Sequence, residues 1–174
     1  MKKQFVPMLV IAFLGICALL FAEVKTDYSH SVDFGKYRTY SWLKVQAGDD
    51  LWKDRIQRDV DLALQDKGWQ KVESGGDAGV AAFGAMKTEQ TLQTFYDNLG
   101  GGWFWGGFDG TATTTVQNTP VGTLVADIFD GPTKKLMWRG MSTNTLSGDP
   151  EKNAKKLQQS VEEMFKHFPP KSKG

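Results

Sequence analysis

VGTLVADIFDGPTKKLMWRGMST runs from Val121 to Thr143 and sets two apolar-rich segments either side of DGPTKK. The first, VGTLVADIFD, and the second, KLMWRGMST, are rich in β-branched and aromatic residues, which suit a pleated surface. Gly131-Pro132 punctuates them as a turn. The pair reads as an antiparallel hairpin. Such a hairpin buries one face only if more strands and a covering layer exist, so the rest of the chain must supply both.

Working outward, the upstream TATTTVQ reads as another strand, joined to Val121 through Asn118-Thr119-Pro120 as a second hairpin. VAAFGAM, from Val80, is apolar on both of its sides and is expected at the centre of a sheet, with a continuation to Gln90. SGGDAG before it is a turn, and WQKVE before that is a strand. Tyr37 to Leu43 alternates like a strand after the turn at Gly35, and Val24–Tyr28 reads as a first strand.

Two segments carry helical spacing instead. In 52–67, Trp52, Ile56, Val60, Ala63 and Leu64 form one stripe, with Asp49 or Asp50 as cap and Gly68 just past the end. In the last helix Ala154, Leu157, Val161, Met164, Phe165 and Phe168 form the stripe. Asp149 caps it, Pro150 occupies the first turn and Pro169-Pro170 stops it; the polar tail KSKG follows. The expected fold is α+β: an antiparallel sheet with both helices packed on one face, in a single domain over 23–174. Trp42, Ile56, Val60, Leu64, Val125, Trp138, Leu157, Val161 and Phe165 are its expected core.

Composition narrows the function classes. Of 174 residues, 24% are charged and 40% apolar, a globular mixture. Lys2 and Lys3 are the charged residues of the first 22, which leaves 19 basic and 20 acidic groups in 23–174. That balance offers no basic field to a phosphate backbone, so nucleic acid is not an expected partner.

The first 22 residues have a basic start and then an uncharged run from Phe5 to Ala22, the pattern of an export signal. Three fates compete: cleavage after Ala22, which is favoured; lipidation at Cys17; or retention as a membrane anchor with the lysines inside. All place the protein outside the cytoplasm, in the periplasm or anchored facing it. Cys17 is the chain's single cysteine, so loss of the leader removes disulfides and thiol chemistry together.

No catalytic or cofactor motif is present. His30 and His167 lack a metal-binding spacing, the serines lie in no nucleophile elbow, and no glycine-rich phosphate loop opens a helix. No metal and no cofactor are expected. His167 suits the negative end of the last helix. Asp127 and Asp130 flank a strand end, where a turn role outweighs a carboxylate pair.

GGGWFWGGFDG, from Gly100 to Gly110, packs six glycines among Trp103, Phe104, Trp105 and Phe108. It has three readings: a loop whose aromatics fold back as a local cap, an interaction surface, or a sugar- or lipid-binding lip. Clustered aromatics favour contact with a partner or membrane surface, so these four residues are the candidate contact surface.

Four segments in order resemble the bacterial family called domain of unknown function 4136. They are DYSHSVDFGKYRTYSWL, IQRDVDLALQDKGWQKV, GTLVADIFDGPTKKLMWRG and the ending from Val161 through Phe168-Pro169-Pro170-Lys171. The resemblance spans most of residues 24–171. It implies an exported bacterial protein, often a lipoprotein, with no assigned catalytic residue. The chain departs from the lipoprotein pattern because Ile16, which is not small, precedes Cys17. The glycine-aromatic segment is similar to a variable insertion between strands. The reading taken forward is a non-enzymatic envelope protein that binds or scaffolds, with an envelope protein, lipid or membrane surface as partner. The alternative is an envelope hydrolase or transferase using carboxylates around Asp109, Asp127 and Asp130. Two close carboxylates with raised pKa values would favour the enzyme; an apolar groove without them would favour the binder.

Overall fold

The computed structural model describes residues 23–86 and 121–170. The TATTTVQ strand, its hairpin at Asn118-Thr119-Pro120, the extension to Gln90, the leader with Cys17, the glycine-aromatic segment with Trp103, Phe104, Trp105, Phe108 and Asp109, and the KSKG tail all lie outside the described residues. Among those described, six strands form one sheet: β1 (Glu23–Tyr28), β2 (Thr39–Gln46), β3 (Gln70–Lys71), β4 (Ala78–Met86), β5 (Val121–Asp130) and β6 (Leu136–Thr145). Their order is β1-β6-β5-β4-β2-β3. Helices α1 (Asp50–Asp66) and α2 (Pro150–Phe165) complete the α+β fold.

The hairpin expected from Val121 to Thr143 is present as β5 and β6. Asp127 stands opposite Arg139 and Ile128 opposite Trp138, with a register slip before Phe129. Lys134 takes the left-handed backbone of its turn, at φ 58°. β4 lies between β5 and β2, the central place its two apolar sides require.

The sheet is mixed rather than antiparallel. β2 runs parallel to both β3 and β4, while β1, β6, β5 and β4 pair antiparallel in turn. The cause is α1. It carries the chain from the end of β2 back to the level where β2 began, so the following strands start in the same direction. WQKVE is shorter than expected, pairing only at Gln70 and Lys71.

Both helices cover one face. Alternate residues of the central strands point at them: Ala78, Val80 and Ala82 from β4, Leu124, Ala126 and Ile128 from β5, and Trp138 from β6. Ile56, Val60 and Leu64 of α1 and Leu157, Val161, Met164 and Phe165 of α2 meet them. Val125 is also buried, but on the opposite face by strand alternation. Trp42 is the exception among the expected core residues, since it is half-buried at the sheet margin beside α1.

At the C-terminal ends of both helices the layer is filled with rings. Phe168 lies 5.2 Å from Trp69, 5.3 Å from Trp138, 5.4 Å from Phe165 and 5.8 Å from Phe34, each close to edge-on. Edge-to-face rings at such distances attract beyond their burial. Gly140 makes room for this packing, because a Cβ there would stand 2.6 Å from the Trp138 ring and 2.8 Å from Met164 Sδ. Gly68, at φ +82°, ends α1 in the left-handed conformation that other residues avoid.

The two helices also trap a carboxylate. The Asp59 side chain is 3% exposed; its Oδ1 accepts from Arg58 Nε at 2.9 Å and Nη2 at 2.8 Å, and its Oδ2 has no partner. Burial raises its pKa, Glu162 adds to the rise, and Arg58 and Arg55 oppose it. A raised folded pKa means the native state binds the proton more tightly than the unfolded chain. The stability tied to that proton is full below the ordinary carboxylate range and is lost as pH rises through the folded pKa. Asp59→Asn should therefore raise the urea midpoint more at pH 7 than at pH 4. An equal fall at both values would show that the Arg58 contact outweighs the burial cost.

Candidate functional site

At the opposite end of the helix layer, side chains shorten and a cleft of about 540 Å³ opens. Its floor is the sheet end formed by Gly84, Gly122, Leu124, Ser142 and Asn144. One wall is the start of α1, with Asp49, Trp52 and Ile56; the other is the first half of α2, with Asn153, Lys156, Leu157 and Ser160. Both helices begin here because both caps are here. Asp49 accepts from Trp52 N at 2.8 Å, and Asp149 accepts from Glu151 N at 2.9 Å. The positive ends of two helix dipoles thus sit at the cleft end of the molecule.

The polar groups of the cleft fall into two sets. Asn153 is structural: its Oδ1 accepts from Ser147 N at 2.8 Å and its Nδ2 donates to Ser147 O at 2.7 Å. Ser160 is likewise committed, donating to Lys156 O at 2.8 Å and accepting from Asn144 Nδ2 at 2.6 Å. Lys156 Nζ donates to Thr145 O at 2.8 Å and forms no ion pair with a carboxylate among the described residues.

Ser142 is different. It is 2% exposed, yet no described residue hydrogen-bonds its hydroxyl. Asp59 Oδ2 is the one sealed side-chain polar atom without a partner among the described residues, so Ser142 Oγ is not sealed and opens onto the cleft. A buried hydroxyl without an internal partner is a cost unless something else satisfies it.

None of these residues is singled out by the sequence reading, although a signal exists. Asn153 and Ser160 lie on the α2 stripe with Leu157 and Val161, where a core helix would carry apolar side chains. Ser142 and Asn144 share the helix-facing side of β6 with Trp138.

The carboxylate pair of the alternative reading is not formed by the two members described, Asp127 and Asp130. Asp127 is not at a strand end. It lies mid-strand, 1% exposed, and accepts from Arg139 Nε at 2.7 Å and Nη2 at 2.8 Å, directly across the ladder. Strand alternation places it on the face away from the helices, with Phe83 and Phe129. Asp130 does hold a turn, accepting from Thr133 N at 2.7 Å and from Tyr37 Oη at 2.8 Å. A further bond from the Thr133 hydroxyl, and then these two, hold its pKa below the ordinary value. His30 is exposed beside the Tyr28 ring, and His167 is exposed just past α2.

A third cluster ties β2 and β3 to α1. Asp61 Oδ1 accepts from Tyr40 Oη and Trp42 Nε1, each at 2.8 Å, and its Oδ2 accepts from Lys71 Nζ at 2.8 Å. Burial and the Asp61 bond raise the pKa of Tyr40. The cluster anchors the sheet edge, and its groups are mutually satisfied.

The YRTYSWL segment that runs into β2 and the WRG of β6 both lie within the stretch that a family model matches. The family model called domain of unknown function, DUF4136, matches residues 24–170. The chain belongs to this family. No curated protein matches the chain. Among solved structures, a DUF4136 family protein from Bacteroides thetaiotaomicron is similar at 13% identity and TM-score 0.57, over 85% of this chain and 96% of that one. A PDZ domain protein from Parabacteroides distasonis is similar at 14% identity and TM-score 0.58, over 88% of this chain and 36% of that one. At these identities the likeness is one of fold.

The two serines of the cleft give opposite expectations. Ser160→Ala should cost about 1–2 kcal/mol, because it orphans Asn144 Nδ2 and removes a satisfied hydroxyl. Ser142→Ala should cost nothing or stabilise, since no internal bond is lost. Chemical denaturation of both variants checks this; a loss for Ser142→Ala equal to that for Ser160→Ala would mean that its hydroxyl is structural.

Proposed function

We propose that this DUF4136 domain is a non-enzymatic binding protein of the bacterial cell envelope, and that the cleft between the helix starts and the sheet end is where it binds. The observation that carries the reading is the unpartnered Ser142 hydroxyl at the floor of an otherwise largely apolar cleft. A concave, mainly apolar site with a few convergent polar groups is the usual form of a small-molecule site.

The chemistry of the cleft supports binding over catalysis. Asp49 is its single carboxylate among the described residues, and that group caps α1. The carboxylate with a raised pKa, Asp59, lies between the helices and does not line the cleft. The envelope location rests on the leader pattern of residues 1–22; among the described residues no helix is long and apolar enough to cross a membrane. The aromatic segment at Trp103, Phe104, Trp105 and Phe108 is kept as a second contact surface for an envelope protein or membrane.

The full-length protein, recovered from bacterial envelopes, should bind a neutral apolar dye such as N-phenylnaphthylamine with a rise in fluorescence. Leu146 stands half-buried at the cleft beside Gly122, so Leu146→Trp should narrow the space and weaken dye binding at least several-fold while leaving the fold intact. Equal dye binding by parent and variant, or none by either, would remove the cleft as the binding site. Mass spectrometry of the same material should find Glu23 as the mature N-terminus; a chain found only in the cytoplasm would contradict the envelope assignment.

A further inference from the structure

The cleft is not uniform, and its asymmetry bears on what it takes. Ile56 on one side, Leu124 on the floor and Leu157 on the other side form a continuous apolar lining. At the β6–α2 side the lining turns polar, with Ser142, Asn144 and Lys156. Lys156 is the one cation lining the cleft among the described residues, and no described carboxylate pairs with it. One of its three ammonium protons goes to Thr145 O, which fixes the group beside the strand end and leaves donors to spare.

Three features of this polar side select an oxygen-bearing anion. The Ser142 hydroxyl can donate, and nothing in the described protein accepts from it. The Lys156 ammonium donates only. The start of α2 on this wall and the start of α1 on the facing wall both lie at the cleft end of the molecule. Asp49 is the opposing charge, and it stands on the other wall, where its Oδ1 accepts from Trp52 N. A cationic head group would meet Lys156, whereas a neutral one would leave the ammonium uncompensated.

We propose that the ligand is a single-chain amphiphile with an anionic oxygen head group, of which a fatty-acid carboxylate is the simplest. The head is held at Lys156 and Ser142, and the alkyl chain lies along Ile56, Leu124 and Leu157. This rests on the binding reading above and adds the ligand's chemical class.

Dodecanoate, dodecanol and dodecyltrimethylammonium share one chain and differ in head charge, so titrating each, as monomers, into the full-length protein separates head from chain. Dodecanoate should bind about tenfold or more tighter than dodecanol, the scale of one charge-assisted contact, and the ammonium compound weakest. Lys156→Met should abolish the preference for dodecanoate over dodecanol, and Lys156→Arg should restore it; Ser142→Ala should weaken dodecanoate. Equal affinity for all three compounds, or tightest binding of the ammonium compound, would overturn the head-group assignment while leaving the cleft an apolar binder. Absence of binding by all three would overturn the binding reading itself. A preference for dodecanoate unchanged in Lys156→Met would show that the anion is held elsewhere.

Discussion

The contact on which the structure turns is the ring cluster around Phe168. It joins four parts of the chain that are far apart in sequence: the turn at Phe34, the segment after α1 at Trp69, β6 at Trp138, and the end of α2 with Phe165 and Phe168. Each large ring removes a substantial apolar area from water, and the edge-on geometry adds to that gain. The cluster sits at one end of the helix layer. It fixes the separation of helices from sheet there, and Gly140 is the position that lets Trp138 and Met164 share the space.

The cleft follows from the same arrangement. Helices propped on large rings at their C-terminal ends meet small residues at their N-terminal ends, where Gly84, Gly122 and Ser142 form the floor. Among the described residues no side chain fills the gap, and of the polar side chains that reach it Asn153 and Ser160 are tied to the backbone while Ser142 is left available. Stability and binding are thus divided between the two ends of one layer. The Asp61 cluster and the Asp127–Arg139 pair serve the first purpose, since each is satisfied within the sheet and its helix.

Much of this was legible in the sequence because it is local. The alternation in Val121–Thr143 marks β5 and β6, the spacing of Ile56, Val60 and Leu64 marks α1, and two apolar sides place β4 at the centre. The parallel pairing of β2 with β4 was not legible, because it depends on how α1 returns the chain rather than on any residue of either strand. Asp127 misled for a related reason: whether it ends a strand or bridges to Arg139 is decided by register, which sequence leaves open. The cleft was hidden because it is assembled from six elements, β2, α1, β4, β5, β6 and α2, and its residues carry no motif. Only the polar interruptions of the α2 stripe, Asn153 and Ser160, hinted at it. The candidate contact residues Trp103, Phe104, Trp105 and Phe108 lie outside the described structure and stand on their sequence alone.

The division between a ring-packed end and an open end can be measured directly by native-state hydrogen exchange of the full-length protein. Amides from Val60 to Leu64 and from Val161 to Phe165, over the rings, should exchange only through global unfolding. Those from Asp54 to Gln57 and from Lys155 to Gln158, beside the cleft, should exchange through local opening of lower free energy. Equal protection along both helices, or greater protection at their starts, would contradict the account.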